Sequence, residues 1–236
     1  MYAERGPVYL DVPRDYFYGE VNDFILPPEQ YRSTSGLIPD AESLKKAAEV
    51  ILAAKKPVII NGRGVVDSDA VDVVAEIAEY LSCPVATSYL HNDAFRYSDP
   101  HWVGPIGYMG SKAAMYSIKE ADVIIAIGCR LSYFGTLPQY DIKYFLQDGS
   151  QKIVQIDVNA NQIARTHPVE VGIVGDARVT AEGLLALLKE AGDRPVDEAR
   201  MADIKAKRDA WEAEIEELAM EEPEEGTIHP RRLLFE

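Results

Sequence analysis

Apolar stripes at helical spacing and fully apolar runs alternate through the middle of this chain. Leu44, Ala47, Ala48 and Ile51 predict one helix face, and Asp40 before them is a good N-cap. Pro57-Val58-Ile59-Ile60 is apolar at every position, as expected of a strand covered on both faces. Val71, Val74, Ala75, Ala78 and Leu81 predict a second helix from about Ser68. A strand over 84–87 follows, then a long loop to Gly110 and a helix over 111–120. Strands over 122–127 and 153–157, a short helix near Gln162, a strand over 172–174 and a helix from about Ala177 complete the series. Strand–helix alternation with fully apolar strands predicts an α/β fold, a doubly wound parallel sheet with helices on both faces, at residues 40–192.

The flanks do not share this rhythm. Pro7-Val8-Tyr9-Leu10-Asp11-Val12-Pro13 predicts a short strand bounded by prolines, with no helix before it. Residues 14–39 have linker composition, rich in Pro, Tyr, Asp, Ser and Gly. After Gly192, Ile204, Trp211, Ile215 and Leu218 recur at heptad-like spacing on a charged helix, which should lie on the surface of the body. Residues 221–226 read as a linker, and 228–235 as the first turns of a new helix. The chain therefore reads as the interior of a longer enzyme. It divides into the end of one domain (1–15), a linker (16–39), the α/β domain (40–192), an acidic helical linker (193–226) and the start of another domain (227–236).

Composition narrows the possibilities. The 236 residues carry a net charge of −15, which argues against nucleic acid or an anionic membrane as partner. Twelve acidic and four basic residues between Asp197 and Glu225 supply −8 of it, so the acidity belongs mostly to one solvated region. No run of eighteen apolar residues is present, and residues 1–5 carry no leader-type apolar stretch. The two cysteines, Cys83 and Cys129, sit beside strands and read as buried reduced thiols, which implies a cytoplasmic compartment.

Ligands of open α/β sheets gather at the carboxyl ends of the strands, so those ends hold the candidate residues. Asn61-Gly62-Arg63-Gly64 follows the first strand. Its glycines either let a phosphate approach the backbone, with Arg63 as a contact, or only turn the chain. Gly128-Cys129-Arg130 follows the third apolar strand; Arg130 suits a phosphate, sulfonate or carboxylate, or a structural ion pair. Asp157 ends the next strand, as a ribose ligand or as a helix cap. Gly104, Gly107 and Gly110 lead at regular spacing into a helix and could form an anion-binding turn. The loop holding Ser88-Tyr89-Leu90-His91-Asn92-Asp93 is long enough to suggest function. His91, His101, His167 and His229 show no metal-ligand spacing, and no nucleophile elbow or P-loop is present.

Several segments resemble the thiamine diphosphate-dependent enzymes. Residues 6–15 look like the closing strand of their pyrimidine-binding domain. Lys56-Pro57-Val58-Ile59-Ile60-Asn61-Gly62-Arg63-Gly64, the run 121–130, the run 152–157 and Val174-Gly175-Asp176-Ala177 are similar to strands and turns of their central domain. Within that superfamily, Pro13-Arg14-Asp15-Tyr16-Phe17-Tyr18-Gly19-Glu20, Ser88-Tyr89-Leu90-His91-Asn92-Asp93, Gly107-Tyr108-Met109-Gly110-Ser111-Lys112-Ala113-Ala114 and Gly135-Thr136-Leu137-Pro138-Gln139-Tyr140 resemble the sulfoacetaldehyde acetyltransferase family. The resemblance implies thiamine diphosphate and Mg2+ as cofactors, a small-molecule substrate, and a homodimer or homotetramer. It also implies conversion of sulfoacetaldehyde and phosphate to acetyl phosphate and sulfite, with the cofactor doing the hard chemistry. The family's activating glutamate and its Gly-Asp-Gly magnesium motif would fall outside these residues, so the chain by itself is expected to be inactive. Acetolactate synthase is a rival resemblance. It implies FAD near Gly107, Gly110, Gly128 and Arg130, with Asp157 toward the ribose, although the acetyltransferase-like segments make FAD the less favoured cofactor. A non-catalytic nucleotide-binding module is the alternative from another class.

Overall fold

The computed structural model describes residues 7–31, 36–146, 148–220, 227–228 and 230–235. Six strands form one parallel sheet in the order β3-β2-β1-β4-β5-β6. They are β1 (Pro57–Asn61), β2 (Val85–Thr87), β3 (Trp102–Pro105), β4 (Val123–Ile127), β5 (Lys152–Asp157) and β6 (Val171–Val174). The helices are α1 (Ala41–Leu52), α2 (Arg63–Asp67), α3 (Val71–Leu81), α4 (Lys112–Lys119), α5 (Tyr133–Thr136), α6 (Ala177–Glu190), α7 (Glu198–Ala219) and α8 (Pro230–Phe235). β1 lies at the centre, matching Ile59 to Val85 on one side and to Ile125 on the other.

The two faces explain the apolar runs. Ile59, Ile125, Val154 and Ile173 point to one side, into a core shared with α1, α3 and α6. Val58, Ile60, Ile124 and Ile153 point to the other, against α4 and against Ile204 of α7. A strand with helices on both faces must be apolar at every position, and β1 and β4 are buried throughout. The doubly wound parallel sheet expected from the sequence is the fold observed.

The helix starts follow their caps. Asp40 accepts the N–H of Ser43, and Asp176 accepts those of Arg178 and Val179. Ser68 precedes α3 as expected, but the five-residue α2 before it was not anticipated. The loop expected between 88 and 110 contains β3, a four-residue edge strand. The charged helix predicted on the surface is α7; it packs on α4 and buries Ile204, with Met201 and Trp211 half-buried beside it.

One expectation fails. Residues 7–13 form no strand: the segment joins neither edge of the sheet, and Val8, Tyr9 and Leu10 are exposed. A strand exists only through its neighbour's hydrogen bonds, and none of the described strands pairs with this one. Residues 14–31 are exposed apart from the half-buried Pro28, with 3-10 turns at Arg14–Phe17 and Pro28–Gln30. The expected linker at 221–226, residues 1–6 and His229 lie outside the described residues.

Candidate functional site

β1 pairs with β2 on one side and β4 on the other, so the direction of winding reverses between β1 and β4. The carboxyl ends of these two strands therefore diverge into different loops, which opens a crevice. A hollow of about 570 Å3 lies there, walled by the turns after β1, β2, β4 and β5. A second hollow of about 240 Å3 adjoins it toward β6, and the two share Arg63, Gly128, Arg130 and Gln162.

The floor is made by two turns packed backbone to backbone. A Cβ added at Gly64 would lie 2.6 Å from the Cα of Gly128, and one at Gly128 2.5 Å from that of Gly64. Gly128 also sits at φ +55°, in the left-handed region. Three N–H groups of these turns are bonded to carbonyls. The N–H of Gly62 donates to Ile127 O and that of Gly64 to Gly128 O, both at 3.0 Å, while Gly128 N–H donates to Ile156 O at 2.9 Å. The turn after β3 is similarly closed: Gly110 N–H donates to Gly107 O and Ser111 N–H to Pro105 O. These five N–H groups are already partnered, so they are not open donors to a ligand in the crevice.

Those side chains are guanidinium groups at the rim. Arg63 pairs with Asp67 one turn along α2, at 3.0 Å. Arg165 donates to Gln162 Oε1 at 3.2 Å. Arg130 is exposed and, among the described residues, makes no ion pair, so the structural salt bridge considered for it is not seen. Asp157 is buried and its Oδ1 accepts the N–H of Asn159 at 2.9 Å. It shapes the turn after β5, while Asn159 caps the 3-10 turn itself.

The outer wall is aromatic. Phe134 of α5 meets Tyr89 edge-on at 5.1 Å, and Tyr108 lies 5.9 Å from the same ring. His167 stacks on Phe145 at 4.7 Å and its Nε2 lies 3.0 Å from Thr136 Oγ1, bracing α5 from behind. Burial holds the His167 pKa below 6.5. Cys129 lines the crevice, but burial pushes its thiol up to about 11. It is therefore a protonated, weakly nucleophilic group.

The structure brings Arg63, Gly128, Arg130 and Asp157 into one crevice. Gly107 and Gly110 stand behind it: Gly107 packs near Gly135 and Tyr89, and neither glycine lines the hollow. Sequence reasoning did not single out Arg165 or Phe134. Arg165 follows the short helix after β5, and that position at a strand's carboxyl end was its only signal.

Residues 44–184 match the family model of the thiamine pyrophosphate enzyme, central domain. The chain belongs to this family. The chain is similar over nearly its whole length to sulfoacetaldehyde acetyltransferases. It is 41% identical to that of Castellaniella defragrans over 99% of the chain and 41% of the relative. It is 44% identical to that of Roseovarius nubinhibens over 96% of the chain and 37% of the relative. A probable acetolactate synthase large subunit of Methanocaldococcus jannaschii is 36% identical over 78% of the chain and 31% of the relative. The chain thus spans about two-fifths of the acetyltransferases it matches.

Proposed function

We propose that this central domain belongs to a thiamine diphosphate-dependent acetyltransferase that turns sulfoacetaldehyde and phosphate into acetyl phosphate and sulfite. The observation that carries this reading is the reach of the similarity. The acetyltransferases match 94–99% of the chain at 40–44% identity, whereas the acetolactate synthases match 78–84% of it at 33–36%. We place the enzyme in the cytoplasm, as a homodimer or homotetramer. Among the described residues no helix is long and apolar enough to cross a membrane.

Among the described residues no group of three His, Cys, Asp or Glu side chains could hold the Mg2+ that would accompany thiamine diphosphate. What this domain offers is its crevice, with aromatic walls from Tyr89 and Phe134 and cationic groups from Arg63, Arg130 and Arg165. That combination suits a planar, anionic ligand of nucleotide class, with Asp157 within the adjoining hollow. Bound FAD is the less favoured reading. The N–H groups of Gly62, Gly64 and Gly128, which could cradle a diphosphate, are already bonded to carbonyls.

The test is made on the full-length protein that contains this domain. Supplied with thiamine diphosphate, Mg2+, sulfoacetaldehyde and phosphate, it should release sulfite and form acetyl phosphate. After denaturation it should show no stoichiometric flavin absorbance. Acetolactate formation from pyruvate, together with one flavin per chain, would replace this reading with the acetolactate synthase one.

A further inference from the structure

We propose that a second anion site, independent of the crevice and of the proposed reaction, lies at the amino-terminal end of the sheet. There a cavity of about 360 Å3 between the start of β1 and the first turn of α7 would take a phosphate or sulfonate group between Lys55, Arg194 and Arg200.

The local charge is the first reason. Three cations and one carboxylate, Asp197, line this cavity, in a chain whose net charge is −15. Asp197 is committed elsewhere: its Oδ1 caps α7 by accepting the N–H of Arg200 at 2.9 Å. Asp122, at the start of the adjacent strand, spends both oxygens on the backbone N–H groups of Lys55 and Lys56, each at 2.8 Å. Among the described residues neither Lys55 nor Arg194 forms an ion pair.

Arg200 supplies the second reason. Its side chain is only 10% exposed, and its one carboxylate contact is Nη1 to Asp203 at 3.5 Å, the long limit of an ion pair. Nε and Nη2 are buried without a hydrogen-bond partner. A buried guanidinium with two open donors is costly, and such a group calls for an ion or a bound ligand. Water does not reach those donors as the cavity stands. An oxyanion would draw the guanidinium a short way into the cavity, exchanging the long Asp203 contact for a two-pronged one of the kind arginine makes with phosphate and sulfonate. Arg194 converges on the same place. Burial pushes the nearby Cys83 thiol up to about 12, and the charges of Arg200 and Arg194 both oppose that rise.

The cavity is larger than a single phosphate group, so the natural ligand carries a small organic part. Inorganic phosphate and ethanesulfonate are the probes. Calorimetric titration and thermal melts of the 236-residue chain, with chloride at matched ionic strength as control, should show saturable binding and a raised Tm. The tighter of the two probes identifies which oxyanion the site prefers. The double variant Lys55→Ala/Arg194→Ala alters exposed residues that the fold does not need, and should weaken binding roughly tenfold or more. Arg130→Ala, in the crevice, should leave it unchanged. The proposal is overturned if neither probe exceeds chloride, or if the double variant binds as well as the parent chain. It is equally overturned if Arg130→Ala abolishes the effect, which would move the binding to the crevice.

Discussion

Gly64 and Gly128 show how much of the crevice rests on single residues. Their backbones touch, so a methyl group on either has nowhere to go but into the other turn. Gly64→Ala should cost about 1–3 kcal/mol, as overpacking does, measured by urea denaturation. Gly149→Ala is the comparison. It has positive φ but open space around it, and should cost only about 1 kcal/mol. His167 carries a pH dependence at the same scale. Burial lowers its folded pKa below 6.5, so the unfolded chain binds the proton first as pH falls. Its contribution is therefore absent well above 6.5, and stability declines as pH drops from there toward the folded value. Denaturant midpoints of His167→Gln measured between about pH 8 and about pH 5 should lack that share of the decline; an unchanged slope would assign it to other groups. Arg63 and Arg130 were visible from the sequence because they follow apolar runs. Arg165 and Phe134 were not, because their loops carry no periodicity and meet the crevice only through the chain's return.

Among the elements, α6 is held at both ends by residues distant in sequence. Asp176 accepts two N–H groups of its first turn and also the hydroxyl of Ser68 at 2.8 Å. The Tyr80 hydroxyl reaches Leu188 O and Gly192 O at the other end, at 2.7 and 2.8 Å. Asp176→Ala should lower stability by about 1–2 kcal/mol in thermal or urea unfolding, the cost of a lost cap. A loss below a few tenths of a kcal/mol would mean that water replaces the carboxylate at no penalty. Element existence was largely legible here. Ile59, Ile125 and Val154 lie in runs too apolar for any half-exposed strand, and the cap at Asp40 was readable by type. β3 was not legible. Four residues ending in Gly104-Pro105 carry no alternation, and only pairing with β2 makes them a strand. Residues 7–13 are the converse case, with strand composition but no partner.

At the scale of the whole molecule, the α/β body is well covered and its flank is not. Val8, Tyr9, Leu10, Phe17, Phe24 and Ile25 are each more than 70% exposed, and Ile228 and Leu233 near α8 are similarly bare. Apolar surface on this scale promotes association. Sedimentation velocity should therefore show the 236-residue chain self-associating, while a chain trimmed to 38–220 stays monomeric. Trimming at 192 instead would remove α7 and uncover the α4 face where Ile204 is buried, so that shorter chain should be the less stable of the two. If the 236-residue chain is a clean monomer and the 38–220 chain aggregates, the flanking residues cover the body instead of exposing themselves.

The sequence by itself determined the layer architecture, because burial on both faces writes itself into every position of β1 and β4, and helix stripes and caps are local. It also determined the family, because that likeness is carried by contiguous segments. Tertiary structure alone decided where the winding reverses, and hence where the crevice opens. It decided that the N–H groups of Gly62, Gly64 and Gly128 go to carbonyls of the facing turn and of neighbouring strands, and it gathered Arg63, Arg130 and Arg165 from separate segments at the rim. It also decided that α7 is part of the body and that Arg200 is buried with open donors at the far end of the sheet. Each of these depends on residues brought together across tens of positions, and no local pattern encodes such a meeting.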